Sequence, residues 1–197
     1  MKKLWFPFLI TLLPILGFTQ NFDINTLKSI NQNESSFRNS YANFCSKTTT
    51  PISIATPLTI LSAGLITKNK SLQKDALYIA ASYLANTIVT QSAKHIIKRE
   101  RPYQTYSFII KRIDADANTS MPSGHTSTAF CNATALSLRY KKWYVIAPAY
   151  VYASSVAWAR MYQGVHYPSD VFVGALVGAA SAWLGYKLQK TIFRKRK

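Results

Sequence analysis

Residues 139–142 read RYKK, a four-residue basic break between two apolar segments, 124–138 and 143–159. A linker that short turns one helix back along its neighbour. Each segment is a little short of the roughly 20 residues that cross about 30 Å of hydrocarbon at 1.5 Å per residue. Working outward, three more apolar segments follow at 51–67, 75–93 and 170–187, and two further breaks are basic, KNKSLQK at 68–74 and KLQKTIFRKRK at 187–197. If the three basic breaks face the cytoplasm, as the positive-inside rule asks, the five segments alternate without adjustment. Residues 94–123 and 160–169 then share the opposite face.

The segments are rich in small residues, as in GALVGAASAWLG at 174–185, where Gly174 and Gly178 stand at GxxxG spacing. Small residues let membrane helices approach closely. The expected fold is therefore all-α, an integral-membrane helical bundle of five to six transmembrane helices.

The sixth helix depends on the start of the chain. Residues 1–20, MKKLWFPFLITLLPILGFTQ, place two lysines before an apolar run and a small polar exit, the layout of a signal peptide cut near Gln20. An uncleaved first transmembrane helix is the alternative. Residues 21–50, rich in Asn, Ser and Thr, are expected as an extracytoplasmic surface segment that is helical in part. Residues 51–197 would form the membrane domain.

Composition narrows the function. The 197 residues suit one domain, and 24 Lys plus Arg against 7 Asp plus Glu give a net charge of +17. Such an excess suits nucleic acid, an anionic membrane or an anionic substrate. The cations line no uninterrupted polar face, so no nucleic-acid partner is expected. Cys45 and Cys131 form no CxxC and imply neither a zinc site nor a disulfide framework. Asp114 and Asp116 read as a solvated loop rather than a cation site.

Three clusters fall on the outward face. In KHIIKRERP (94–102), Lys94 and Arg101 are seven apart, two helical turns, so that both can point one way from the end of the second span. These cations stand where the positive-inside rule predicts few. In the second cluster, Pro122, Ser123, Gly124 and His125 open the third span. Unsatisfied amides at a helix start favour anions, Gly124 permits close approach to the backbone, and Ser123 adds a donor.

The third cluster, ARMYQGVHYPSD (159–170), joins the fourth span to the fifth. Pro168 suits a first helical turn, which leaves Asp170 able to reach back to His166. A carboxylate on one imidazole nitrogen fixes the tautomer and frees the other as a nucleophile. Arg160 adds a planar fork matched to phosphate oxygens. Two of the three histidines thus share one face with three cations and one carboxylate.

In order, K-x6-R-P at 94–102, P-S-G-H at 122–125 and R-x5-H-x3-D at 160–170 resemble the three-part signature of the type 2 phosphatidic acid phosphatase superfamily. That group includes vanadium-dependent haloperoxidases and bacterial acid phosphatases. The resemblance implies His166 as a nucleophile forming a phosphohistidine, Asp170 as its orienting carboxylate and His125 as the acid protonating the leaving oxygen. Lys94, Arg101, Arg160, Ser123 and the Gly124 backbone would hold the phosphoryl oxygens. The family usually carries Ser before the third-motif arginine, where Ala159 stands here.

Phosphoryl transfer depends mainly on positioning and charge stabilisation, which three fixed cations supply, so neither a metal nor another cofactor is expected. The resulting expectation is a metal-independent lipid phosphatase, multi-pass in a bacterial inner membrane, with its active site at the periplasmic mouth. Candidate substrates are lipid A phosphate, undecaprenyl diphosphate, phosphatidylglycerol phosphate and phosphatidic acid. The alternatives are a vanadate-dependent haloperoxidase and a non-enzymatic protein that binds anionic lipid.

Overall fold

A computed structural model describes residues 13–113 and 119–194. Most of the leader-like segment, and both Asp114 and Asp116, lie outside the described residues. Among the described residues the fold is helical throughout: α1 (Leu13–Asn31), α2 (Ser36–Ile66), α3 (Lys70–Ile97), the single turn α4 (Pro102–Thr105), α5 (Gly124–Arg139), α6 (Trp143–Tyr162) and α7 (Pro168–Arg194). Helix α5 is central and packs on α7, α6, α3 and α2.

The five apolar segments each lie within a long helix, but their ends move. Helix α2 starts 15 residues before the segment expected at 51–67, because Ser35 caps it by accepting from the Arg38 amide at 3.2 Å. It runs on through Pro51 and Pro57. Its polar first half is not a surface strap: Ala42, Cys45, Ser46 and Thr49 are buried. The preceding stretch forms α1, which buries Asp23, Leu27 and Asn31, a stripe four residues apart on one helix face. Asn31 donates to the carbonyls of Ile110 and Tyr162, both at 2.9 Å, and accepts from the Ile110 amide at 2.8 Å.

Burial follows size and polarity in the sense expected of a membrane bundle. Inside are small and hydroxylated residues such as Ser53, Ser82, Asn86, Thr90, Ser127 and Ala133; outside are Leu58, Leu61, Leu77, Leu84, Ile88, Leu176 and Leu184. Water would penalise so extensive an apolar exterior, whereas lipid does not. Some of the buried hydroxyls find partners across helices, with Ser127 bonded to Asn86 and 3.2 Å from the Thr90 hydroxyl.

Gly174 and Gly178 do bring helices together. A Cβ on Gly174 would stand 2.7 Å from the Ser123 carbonyl oxygen, and one on Gly178 would run into the Ser127 carbonyl. By length and composition, α2 and the stretch Pro168–Ile192 of α7 are apolar enough to cross a membrane. The 16 residues of α5 extend only about 24 Å.

The helix ends sort as the charge pattern requires. Arg139 at the end of α5 pairs with Asp75 at the start of α3, and Gln189 of α7 donates to the Lys74 carbonyl at 2.8 Å. These three basic termini meet at one end of the bundle. The three motif clusters lie at the other.

Candidate active site

Lys94 occupies the last turn of α3, where its ammonium donates to the Thr119 carbonyl at 2.8 Å. The helix does not continue to Arg101 as the two-turn spacing supposed. Lys98 adopts a left-handed conformation (φ 50°) and closes α3 by donating its amide to the Lys94 carbonyl at 3.1 Å. The chain then reverses, Glu100 pairs with Thr119, and Arg101 becomes the residue that precedes α4, with Pro102 at its first position. Lys94 and Arg101 still converge, through a turn rather than a shared helix face. Arg101 is buried and donates to the Val165 carbonyl at 3.2 Å. Burial pulls its pKa below the usual arginine range.

Ser123 precedes α5, and its amide donates to the Asp170 carbonyl at 3.0 Å. Its hydroxyl does not cap the helix; it accepts from the Thr126 hydroxyl at 3.0 Å. The first-turn amides therefore lack a side-chain cap, and the space where a Gly124 Cβ would sit has only the Thr90 methyl nearby, at 3.8 Å. That is the open, donor-rich helix start an oxyanion suits. His125 follows and is half-buried.

Arg160 stands in the last turn of α6, almost fully buried. One terminal nitrogen donates to Gln163 Oε1 at 3.0 Å and to the Ser46 hydroxyl at 3.3 Å, while Nε has no protein partner. Ser46 in turn donates to Gln163 Oε1 at 2.8 Å. Ala159, where a family serine was expected, packs in the apolar cluster with Ala42, Cys45 and Val156, so the hydroxyl near Arg160 comes from α2 instead.

His166 lies in the loop between α6 and α7 and is 2% exposed. Burial, reinforced by Arg160, Arg101, Lys94 and His125, holds its pKa well below the ordinary histidine value. The imidazole is neutral near pH 7, the state a nucleophile needs. Asp170 stands in the first turn of α7, and its Oδ2 accepts from the Tyr167 amide at 2.9 Å in capping-box fashion. The same oxygen is 3.6 Å from His166 Nδ1, an ion-pair distance that falls short of a hydrogen bond. Catalytic hydrogen bonds are commonly long before substrate arrives.

All eight residues singled out in the three motifs therefore gather at one end of the bundle, and the electrostatic partners of His166 are three of the expected cations. Three participants were not singled out, Asp23, Ser46 and Gln163, and Arg99, expected only as added, solvated charge between Lys94 and Arg101, is a fourth. Arg99 donates to Asp170 Oδ1 at 2.8 Å. His95 and Lys98, in contrast, are exposed. The Asp23, Leu27, Asn31 spacing was a usable signal for a buried face of α1, but a polar composition concealed it.

Residues 75–194, about three fifths of the chain, match the PAP2 superfamily. The chain belongs to the PAP2 superfamily. Its backbone is similar to that of a transmembrane PAP2-type phosphatidylglycerolphosphate phosphatase from Bacillus subtilis, with a TM-score of 0.74 over 95% of this chain and 94% of that one at 22% identity. A lipid A 1-phosphatase of Porphyromonas gingivalis is 44% identical over 92 residues, which are 45% of this chain and 20% of that much longer protein. An undecaprenyl-diphosphatase of Sulfolobus acidocaldarius is 26% identical over 90% of this chain and 84% of its own length. The chain is a PAP2-family membrane protein, and its three motifs fall inside the matched region.

Proposed function

We propose that the protein is a membrane lipid phosphatase that transfers the phosphoryl group of a lipid headgroup to His166 and then to water. The observation that carries this reading is the convergence of Lys94, Arg101 and Arg160 on a buried imidazole, whose pKa burial, reinforced by these cations, holds well down. Three buried cations repel one another and lose hydration, a cost that an anionic ligand offsets.

In the proposed first step, the free imidazole nitrogen of His166 attacks phosphorus in line as the bond to the lipid oxygen breaks, and His125 gives that oxygen a proton. Water then attacks the phosphohistidine, with His125 taking a proton, and inorganic phosphate leaves. Lys94, Arg101, Arg160, Ser123 and the Gly124 amide hold the equatorial oxygens, where charge spreads in the transition state. Asp170 orients His166 and stabilises the charge it acquires. The cations perform the charge neutralisation that a metal ion performs elsewhere, so we propose turnover without a metal or other cofactor.

The same reading gives a multi-pass protein with α2, α3, α5, α6 and α7 as spans and α1 completing the mouth, in a bacterial inner membrane. The Lys70–Lys74, Arg139–Lys142 and Lys187–Arg194 end faces the cytoplasm and the motif end faces the periplasm. A lipid there keeps its tails among the exposed leucines while its headgroup reaches the cations. Lipid A 1-phosphate and undecaprenyl diphosphate head the candidates, because relatives bear those activities in their names; phosphatidylglycerol phosphate and phosphatidic acid follow. Phosphate release by purified protein across these four lipids, with His166→Ala as control, tests the reading: release by wild type alone supports it, and no release from any lipid by folded protein contradicts it.

A further inference from the structure

Asp170 has two carboxylate oxygens, which several neighbours share. Oδ2 is tied to the Tyr167 amide and leans toward His166. Oδ1 is held by Arg99, which approaches from the segment after α3 at 2.8 Å. The Arg99 guanidinium is held from other sides as well: it donates to the Ser169 hydroxyl at 2.7 Å and to Asp23 Oδ2 at 3.1 Å, and its Cζ lies 3.8 Å from the centre of the Tyr167 ring. Asp23 closes the ring by accepting from the Ser169 amide at 2.9 Å and from the Ser169 hydroxyl.

Apart from the Arg99–Asp23 pair itself, the contacts of this network fall on residues 167, 169 and 170, within four positions of the nucleophile, and help set where it stands. The network also differs from the phosphate-facing cations in its charge balance. Arg99 divides its charge between two buried carboxylates, Asp23 and Asp170, so a phosphate would have to compete with both. A guanidinium in that position has little to offer a substrate and much to offer a carboxylate. Two donors on different oxygens fix the carboxylate plane, which a single backbone amide cannot.

We propose that Arg99, held in place by Asp23 of α1, is a positioning residue that sets the Asp170 carboxylate against His166, which makes α1 a working part of the catalytic apparatus. The proposal rests on the phosphatase reading and is tested apart from it. In the full chain, kcat, KM, inhibition by vanadate and melting temperature are measured for wild type, Arg99→Met, Arg99→Lys, Asp170→Asn and the Arg99→Met, Asp170→Asn pair. Arg99→Met is expected to lower kcat about 10- to 100-fold, as loss of an outer partner of a working side chain does. KM and vanadate inhibition should move less than about threefold, since phosphate contacts are intact.

Arg99→Lys should recover part of kcat, having one donor for Asp170. The paired variant should be no slower than Asp170→Asn alone, because Arg99 acts through that carboxylate. KM and vanadate inhibition weakening in step with kcat would overturn the proposal, by making Arg99 a phosphate ligand. So would losses that multiply in the pair, or a kcat unchanged while melting temperature falls. If Arg99→Met does not fold, the same cycle built on Arg99→Lys decides the matter. An inactive wild type defeats the phosphatase reading, whereas an active wild type matched by Arg99→Met defeats this proposal alone.

Discussion

At one end of the bundle Lys70, Lys74, Lys141, Lys142, Lys187 and Lys190 are exposed; at the other, Lys94, Arg101 and Arg160 are between 4% and 6% exposed. Both ends are basic, and a count of charges does not separate them. Burial does. An exposed ammonium keeps its hydration and acts on the membrane field, whereas a buried cluster of like charge is tolerated when it has something negative to hold. Chemistry in this chain is marked less by the presence of cations than by the loss of water around them.

The largest break in that comparison removes the nucleophile. His166→Ala is expected to abolish measurable phosphate release, a loss of at least about four orders of magnitude, while Asp170→Asn leaves a residual rate because it only orients. Equal losses in initial-rate assays would mean the two roles are misassigned. Next in size, Arg101→Gln or Arg160→Gln should lower kcat/KM roughly 100- to 1,000-fold and weaken vanadate inhibition in parallel. Melting of the substrate-free protein should stay level or improve, since a buried repelling charge has gone.

Packing behind the motif end gives a smaller effect. Gly178→Leu forces a side chain into the Ser127 carbonyl where α7 crosses α5, and is expected to destabilise by about 1–3 kcal/mol, read as a lower melting temperature. The pH dependence of stability comes next. Below about pH 6.5 the unfolded chain protonates His166 and the folded protein does not, so stability is full above that pH and falls as pH drops, by at most about 1.4 kcal/mol per unit. His166→Gln should flatten the melting temperature between pH 7 and 5. At the basic end, Lys141→Gln with Lys142→Gln should change kcat/KM of purified protein less than about twofold, both side chains being exposed.

Much of this was legible in the sequence, for physical reasons that differ by region. RYKK, KNKSLQK and the C-terminal basic run mark helix ends because charge cannot stay in hydrocarbon, and each of the five apolar segments falls within a helix. The motif residues were legible because their types and spacings are those of phosphate chemistry. What composition concealed was polar helix facing inward. Residues 36–50 look like a surface strap, yet Ser46 and Thr49 are buried in α2, and Asp23 and Asn31 are buried in α1. In a membrane bundle small polar residues belong inside, so a polarity rule taken from soluble proteins misplaces them. The role of Arg99, a residue that reads as solvated charge, was hidden for another reason: it stands among exposed neighbours, and only the reversal at Lys98 turns it toward Asp170.

The most direct test of the account is to quench a turning-over reaction and map the phosphoryl group by mass spectrometry under conditions that preserve phosphohistidine. A phosphoryl group is expected on His166 in wild type, more of it in a variant whose second step is slowed, such as His125→Ala with an activated leaving group, and none in His166→Ala. A phosphoryl group on any other residue, or sustained turnover by His166→Ala, would contradict it.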